Sequence, residues 1–178
     1  MSSEEVRQDI QDLNTGAAAY QAGDYVTAVK YYRKAAAAGN VIALSNLGYC
    51  YYYGRSIPVD KEMAKKCWEQ AAMFGDVAAI YKLGDMYRFG DLKKSLPYSH
   101  ALYVRAFELA LESEDIYTYP DAFLRMLRYY PEDLETAGVD AKELAQACVQ
   151  GLEARIADGD QYSNKLLKEA KAIVERLS

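Results

Sequence analysis

The sequence predicts an all-α fold, an α/α solenoid of about four helix pairs closed by a C-terminal capping helix. Three observations carry this. The segment Ala43 to Gly54 and the segment Ala79 to Gly90 both read A-x-x-x-L-G-x-x-Y-x-x-G, with every matching position displaced by 36 residues. Ala28, Tyr32, Ala35, Ala36 and Gly39 recur at the same displacement as Ala64, Trp68, Ala71, Ala72 and Gly75. Gly23-Asp24, Gly39, Gly54 and Gly75 punctuate the helical patterns between them. A fixed period of this size is the signature of stacked helical units, each burying its apolar face on the next.

The elements follow in order. Val6, Ile10 and Leu13 have the i, i+4, i+7 spacing of one helix face. Ser2 or Ser3 can cap that helix, with Glu4 and Glu5 in its first turn. Helix continues to about Ala22, Gly23-Asp24 turns the chain, and a second helix spans about Val26 to Ala38, with Gly39 as a left-handed stop. The turn inside the second pair is longer and contains Arg55 to Asp60. A third unit continues through Pro97 to Ala110, where Tyr103 and Ala106 answer Trp68 and Ala71. The fourth is degenerate: Ala122, Met126 and Tyr130 answer Ala79, Leu83 and Tyr87, but Leu127 replaces the glycine. Pro131 to Asp140 reads as a loop, Ala141 to about Ala157 as a helix, and Gly159-Asp160 as its break. Leu166, Leu167, Ala170, Val174 and Leu177 give the last helix an apolar face, with Lys165, Lys168, Glu169, Lys171 and Glu175 outward. The predicted units are 4–40, 41–76, 77–115 and 116–160 with a cap over 161–178, all in one domain.

Packing explains the repeated residues. Gly16, Gly48 and Gly84 remove side chains where paired helices cross, and Tyr32, Tyr51, Trp68 and Tyr87 fill the space between layers. A glycine inside a helix costs about 1 kcal/mol, so its periodic return implies a steric need.

These residues resemble the Sel-one-like repeat family, a branch of the tetratricopeptide-like α/α superhelices. The likeness is strongest over 41–90, and 13–40 is closer to a plain tetratricopeptide unit. The resemblance implies a right-handed superhelix whose first helices line the concave side. It also implies an adaptor or scaffold role in binding other proteins.

Composition bounds the rest. The net charge is −5 with no basic stripe, which argues against nucleic acid as a partner. No long apolar run suggests a membrane span, and the polar, acidic start lacks a secretory pattern, so the expected compartment is the cytoplasm. Cys50, Cys67 and Cys148 stand at unrelated spacings and read as buried free thiols. No cofactor loop or metal-ligand pattern is present, and the lone His100 has no local catalytic companion. Glu4-Glu5, Glu112 to Asp115 and Glu132-Asp133 read as capping and solvating charge.

The candidate site follows from the repeat register and from 17 Tyr against 4 Phe. Positions just after each motif glycine, and four and five beyond it, face the predicted groove. They bring Tyr20, Tyr49, Tyr52, Tyr53, Asp85, Arg88 and Phe89 to one side, with Ser45 and Tyr81 beside them. Tyrosine offers contact area at low ordering cost and a hydrogen-bonding tip. The expected function is therefore a non-catalytic adaptor holding a peptide or protein segment. Two other readings stand beside it. One is a small-molecule hydrolase using Asp85, Arg88 and tyrosines. The other is self-association into a homodimer. The plainer account of the tyrosines is packing between layers.

Overall fold

The computed structural model describes residues 3–113 and 119–178, and side chains from residue 8 onward except that of residue 161. The expected cap at Ser2, the side chain of Val6, and Glu114 and Asp115 lie outside that description. Among the described residues every regular element is helical: α1 (Ser3–Gln21), α2 (Tyr25–Ala37), α3 (Val41–Tyr53), α4 (Lys61–Ala72), α5 (Val77–Phe89), α6 (Leu96–Glu112), α7 (Pro120–Tyr129), α8 (Pro131–Thr136), α9 (Ala141–Ala157) and α10 (Asn164–Arg176), with a 3-10 turn over Gln161–Ser163 before the last. The chain divides into two compact units, 1–95 and 96–178.

The first unit stacks α1 to α5, each helix packing on the next. Asp24, Asn40, Asp60 and Asp76 cap α2, α3, α4 and α5, each accepting from the backbone N–H three residues on. Gly54 and Gly90 close α3 and α5 in the left-handed conformation that costs glycine least. Inside each pair a glycine faces an aromatic ring. A Cβ on Gly16 would stand 2.7 Å from Tyr32 Cδ1, and one on Gly48 would stand 2.5 Å from Trp68 Nε1. Tyr32 and Trp68 are 3% and 1% exposed, so neither ring has room to retreat. Tyr51 and Tyr87 are only half-buried, and the Tyr51 hydroxyl accepts from Arg33 at 3.4 Å. The interlayer role expected of all four aromatics belongs fully to Tyr32 and Trp68.

Successive first helices are joined by polar locks. Asn40 caps Ala43 through Oδ1 and donates through Nδ2 to Asp9 Oδ2 at 2.8 Å. One repeat later Asp76 caps Ala79 and accepts from the Ser45 hydroxyl at 3.0 Å. The partners are 31 residues apart in both locks. This corrects the expected face of α1. Asp9 and Asp12 are buried at 8% exposure while Ile10 is 47% exposed, because the inward position serves the lock and not the apolar core.

In the second unit α7 packs on α6, α8 and α9, and α10 packs on α9 and α7. Its core includes Tyr103, Phe107, Phe123, Leu127 and Leu152, with Phe107 and Phe123 edge to face at 5.7 Å. The predicted loop 131–140 contains a helix, α8, started by Pro131 with Glu132 and Asp133 in its first turn. On α10 the buried residues are Ala170 and Ile173, while Leu177 is 38% exposed. The apolar face is thus rotated from the expected one. Glu169 is turned to Arg128 and forms an ion pair with it.

Candidate functional site: a tyrosine ladder on the first unit

The predicted tyrosines meet. Tyr20 on α1 approaches Tyr49 on α3 edge-on at 6.2 Å between ring centroids. Tyr49 lies 4.4 Å from Tyr53, and Tyr53 lies 4.8 Å from Tyr52. Tyr52 reaches the buried Trp68 at 5.5 Å, and Tyr25 extends the other end by packing on Tyr20 at 5.1 Å. The result is a continuous ladder of rings across α1, α2, α3 and α4. The geometry follows from the repeat: Tyr20 and Tyr49 follow the motif glycines Gly16 and Gly48 on neighbouring first helices, and the helical i, i+4 spacing puts Tyr53 one turn beyond Tyr49.

Cations lie over the ladder. Arg55 is 4.8 Å from the Tyr25 centroid, and Lys61 is 5.3 Å from that of Tyr52. Lys82, on α5, stands 5.3 Å from Tyr49 and 5.4 Å from Tyr81. Asp91 anchors one end, accepting from the Tyr52 hydroxyl at 2.6 Å and pairing with Lys61. Burial raises the Tyr49 phenol above its ordinary range, with Tyr53 and Tyr20 adding to the shift. Burial raises Tyr52 too, helped by its hydrogen bond to Asp91. Both phenols are neutral at neutral pH, and that of Tyr52 is committed to Asp91.

The other predicted residues differ in depth. Tyr53 and Phe89 are exposed, at 44% and 64%; Tyr20, Tyr49, Tyr52, Asp85 and Arg88 are half-buried. Asp85 is near enough to Tyr52 to contribute to its raised pKa. Tyr81 is 8% exposed and Ser45 6%, so neither presents a surface. Ser45 instead builds the frame: its carbonyl accepts from Trp68 Nε1 at 3.0 Å while its hydroxyl holds Asp76. Tyr52, wedged between Trp68 and Asp91, belongs partly to that frame as well. The sequence reading missed Tyr25, Arg55, Lys61, Lys82 and Asp91. Lys82 was findable, since it follows Tyr81 and shares a helix with Asp85 and Arg88. Arg55 and Asp91 each follow a left-handed glycine, and no periodicity marks such positions.

Among the described residues no group of three His, Cys, Asp or Glu side chains could hold a metal ion, and no helix is long and apolar enough to cross a membrane. Cys50, Cys67 and Cys148 are free and buried. His100 belongs to the second unit, where Nε2 meets Asp133 Oδ2 at 2.5 Å and the ring packs on Tyr130.

No curated protein matches the chain. The chain is similar to a crystal structure of a Sel1 repeat protein from Oxalobacter formigenes, with 26% identity and a TM-score of 0.60. The match covers 96% of this chain and 66% of that one, so the chain spans just under two thirds of the neighbour's length. The Sel1 repeat model matches residues 14–40, 41–76 and 77–111, units that carry the Gly16–Tyr32 and Gly48–Trp68 contacts and most of the ladder. Sel1 repeats generally mediate protein–protein interaction, and with more than half of its length matched in register, the chain belongs to the Sel1 repeat family.

Proposed function

We propose that the protein is a non-catalytic adaptor that holds a polypeptide segment against the tyrosine ladder of its first unit. One observation carries this reading: rings from successive repeats form one continuous strip, with Tyr53 and Phe89 exposed on the predicted groove side. Rigid aromatic surfaces with polar tips are the residues that dominate binding energy at protein interfaces. A phenol hydroxyl both donates and accepts, which suits contact with the backbone of a polypeptide. The three buried free thiols favour a reducing compartment, and we assign the protein to the cytoplasm.

The test places a photo-crosslinking amino acid at position 53 or 89 of the full chain in its native cell. Recurrent capture of the same polypeptide at both positions, abolished by Phe89→Ser in the position-53 probe, supports the reading. Crosslinks only to a second copy of the chain would replace it with self-association. Capture elsewhere on the surface but not at these positions would refute it.

A further inference from the structure

Charge is distributed unevenly along this chain. The first unit holds 12 Lys and Arg against 11 Asp and Glu, while the second holds 9 against 15. The imbalance sharpens locally. No residue from Tyr25 to Val59 is acidic, so α2 and α3 contain no carboxylate side chain. On α2, Lys30, Arg33 and Lys34 are exposed at i, i+3 and i+4 spacing, which is one face of the helix. Lys30 and Lys34 lie over the Tyr31 ring, and Arg33 donates to the Tyr51 hydroxyl, contacts that neutralise no charge. The second unit shows the opposite pattern. Helix α8 exposes Glu132 and Glu135, three residues apart, and α9, which packs on α8, exposes Glu143 in its first turn. Lys142 is the only cation from Pro131 to Glu143.

We propose that the protein self-associates, the cationic face of α2 on one copy docking against the acidic rim of α8 and α9 on another. Each copy carries both halves of the contact, so charge complementarity is present in any solution of the protein. The spacing matches as well. Residues three or four apart on a helix stand about 5–6 Å apart between Cβ atoms, so Lys30 and Arg33 can meet Glu132 and Glu135 as two neighbouring pairs. The net charge of −5 opposes association over long range, but at about 0.1 M salt that repulsion is screened beyond about 10 Å, and opposed charges in contact decide the outcome. Exposed ion pairs are individually weak, so the contact is reversible and belongs to concentrated protein. It uses neither Tyr53 nor Phe89, and so goes beyond the adaptor reading: associated copies present several ladders at once to a polypeptide with repeated target segments.

Sedimentation velocity of the full chain over rising concentration tests this. The mean sedimentation coefficient should rise with concentration at about 0.1 M salt and lose that rise at about 1 M, where the screening length falls to about 3 Å. Lys30→Glu/Lys34→Glu reverses one half of the contact and Glu132→Lys/Glu135→Lys the other. Each double variant alone should stay monomeric. An equimolar mixture of the two should associate again, because the intact acidic rim of the first meets the intact cationic face of the second. Circular dichroism confirms that both variants are folded, and Tyr53→Ser/Phe89→Ser should associate like the parent. A parent that stays monomeric at every concentration, association that survives about 1 M salt, or a mixture of folded variants that remains monomeric would overturn the proposal and leave the adaptor reading standing. Association abolished by Tyr53→Ser/Phe89→Ser in a folded protein would move self-association to the ladder and overturn both.

Discussion

Substituting Gly48 by alanine sets two effects of opposite sign against each other. Alanine is the better helix former, by about 1 kcal/mol at an interior position. Against that, the new methyl would stand 2.5 Å from Trp68 Nε1, 2.7 Å from Cδ1 and 3.0 Å from Cε2. Those distances are inside van der Waals contact, and the indole is 1% exposed, so it cannot swing into solvent. Forcing a methyl into a filled core typically costs about 1–3 kcal/mol. Moving the indole also strains its hydrogen bond to the Ser45 carbonyl, and an orphaned buried donor costs about 1–3 kcal/mol more. The clash outweighs the propensity gain, leaving a net loss of about 2 kcal/mol. With a urea m-value of about 2 kcal/mol per molar, the midpoint should fall by about 1 M. Trp68 is the only tryptophan, so its fluorescence reports the displaced ring directly while circular dichroism follows the helices. Gly48→Ala combined with Trp68→Leu should lose less than the two single effects together, because the shorter side chain removes the clash. A Gly48→Ala protein whose midpoint equals or exceeds the parent's would refute the close-contact account of the motif glycine.

Four further outcomes are expected. Asn40→Asp should destabilise by about 1–3 kcal/mol, by setting a second carboxylate against buried Asp9, and Asp9→Ser should rescue it by rebuilding the arrangement of Ser45 and Asp76; denaturant midpoints of the three variants check this. Stability should decline from about pH 9 upward: burial lifts Cys50 to about 11 and Cys148 to about 12, so the unfolded chain loses these protons first and the native state keeps them, which thermal melts across pH 7 to 10.5 can follow. Thiol titration should find three thiols in denaturant and slow reaction in the native protein, with fewer than three refuting the free-thiol assignment. Truncation after Gly159 should uncover α9 and α7 where Ala170 and Ile173 now pack, giving earlier melting or association by light scattering.

What the sequence reveals of this protein is what period and sterics jointly demand. Gly16 opposite Tyr32 and Gly48 opposite Trp68 were legible because a glycine in a helix has a cost that only a close contact justifies. The Tyr20–Tyr49 meeting was legible from register alone. Depth was not. Tyr81 and Tyr53 look equivalent as letters, yet one is buried and the other exposed, because the distinction depends on what the neighbouring helix brings to the same height. The α1 face misled because polar Asp9 is recruited inward by a partner 31 residues away, a relation that apolar periodicity cannot express. Helix α8 was hidden in the stretch read as a loop from Pro131 to Asp140, although proline followed by two acids is also how a helix begins.

In the first polar lock Asn40 reaches back to Asp9, ahead of the matched repeat 14–40, while both members of the Ser45–Asp76 lock lie inside one matched repeat, 41–76. The same holds for each glycine and the ring it admits. A 36-residue block cut between Asn40 and Val41 and again after Asp76 therefore travels with its own fastenings. Copying that block in tandem would present each new first helix with a cap already tethered to the helix before it. Gene duplication or deletion in whole blocks can lengthen or shorten such an array without inventing new complementary pairs, whereas an exchange of single halves would leave Asp9 facing Asp76 and Ser45 facing Asn40. The array is modular because its donor–acceptor grammar closes within the word.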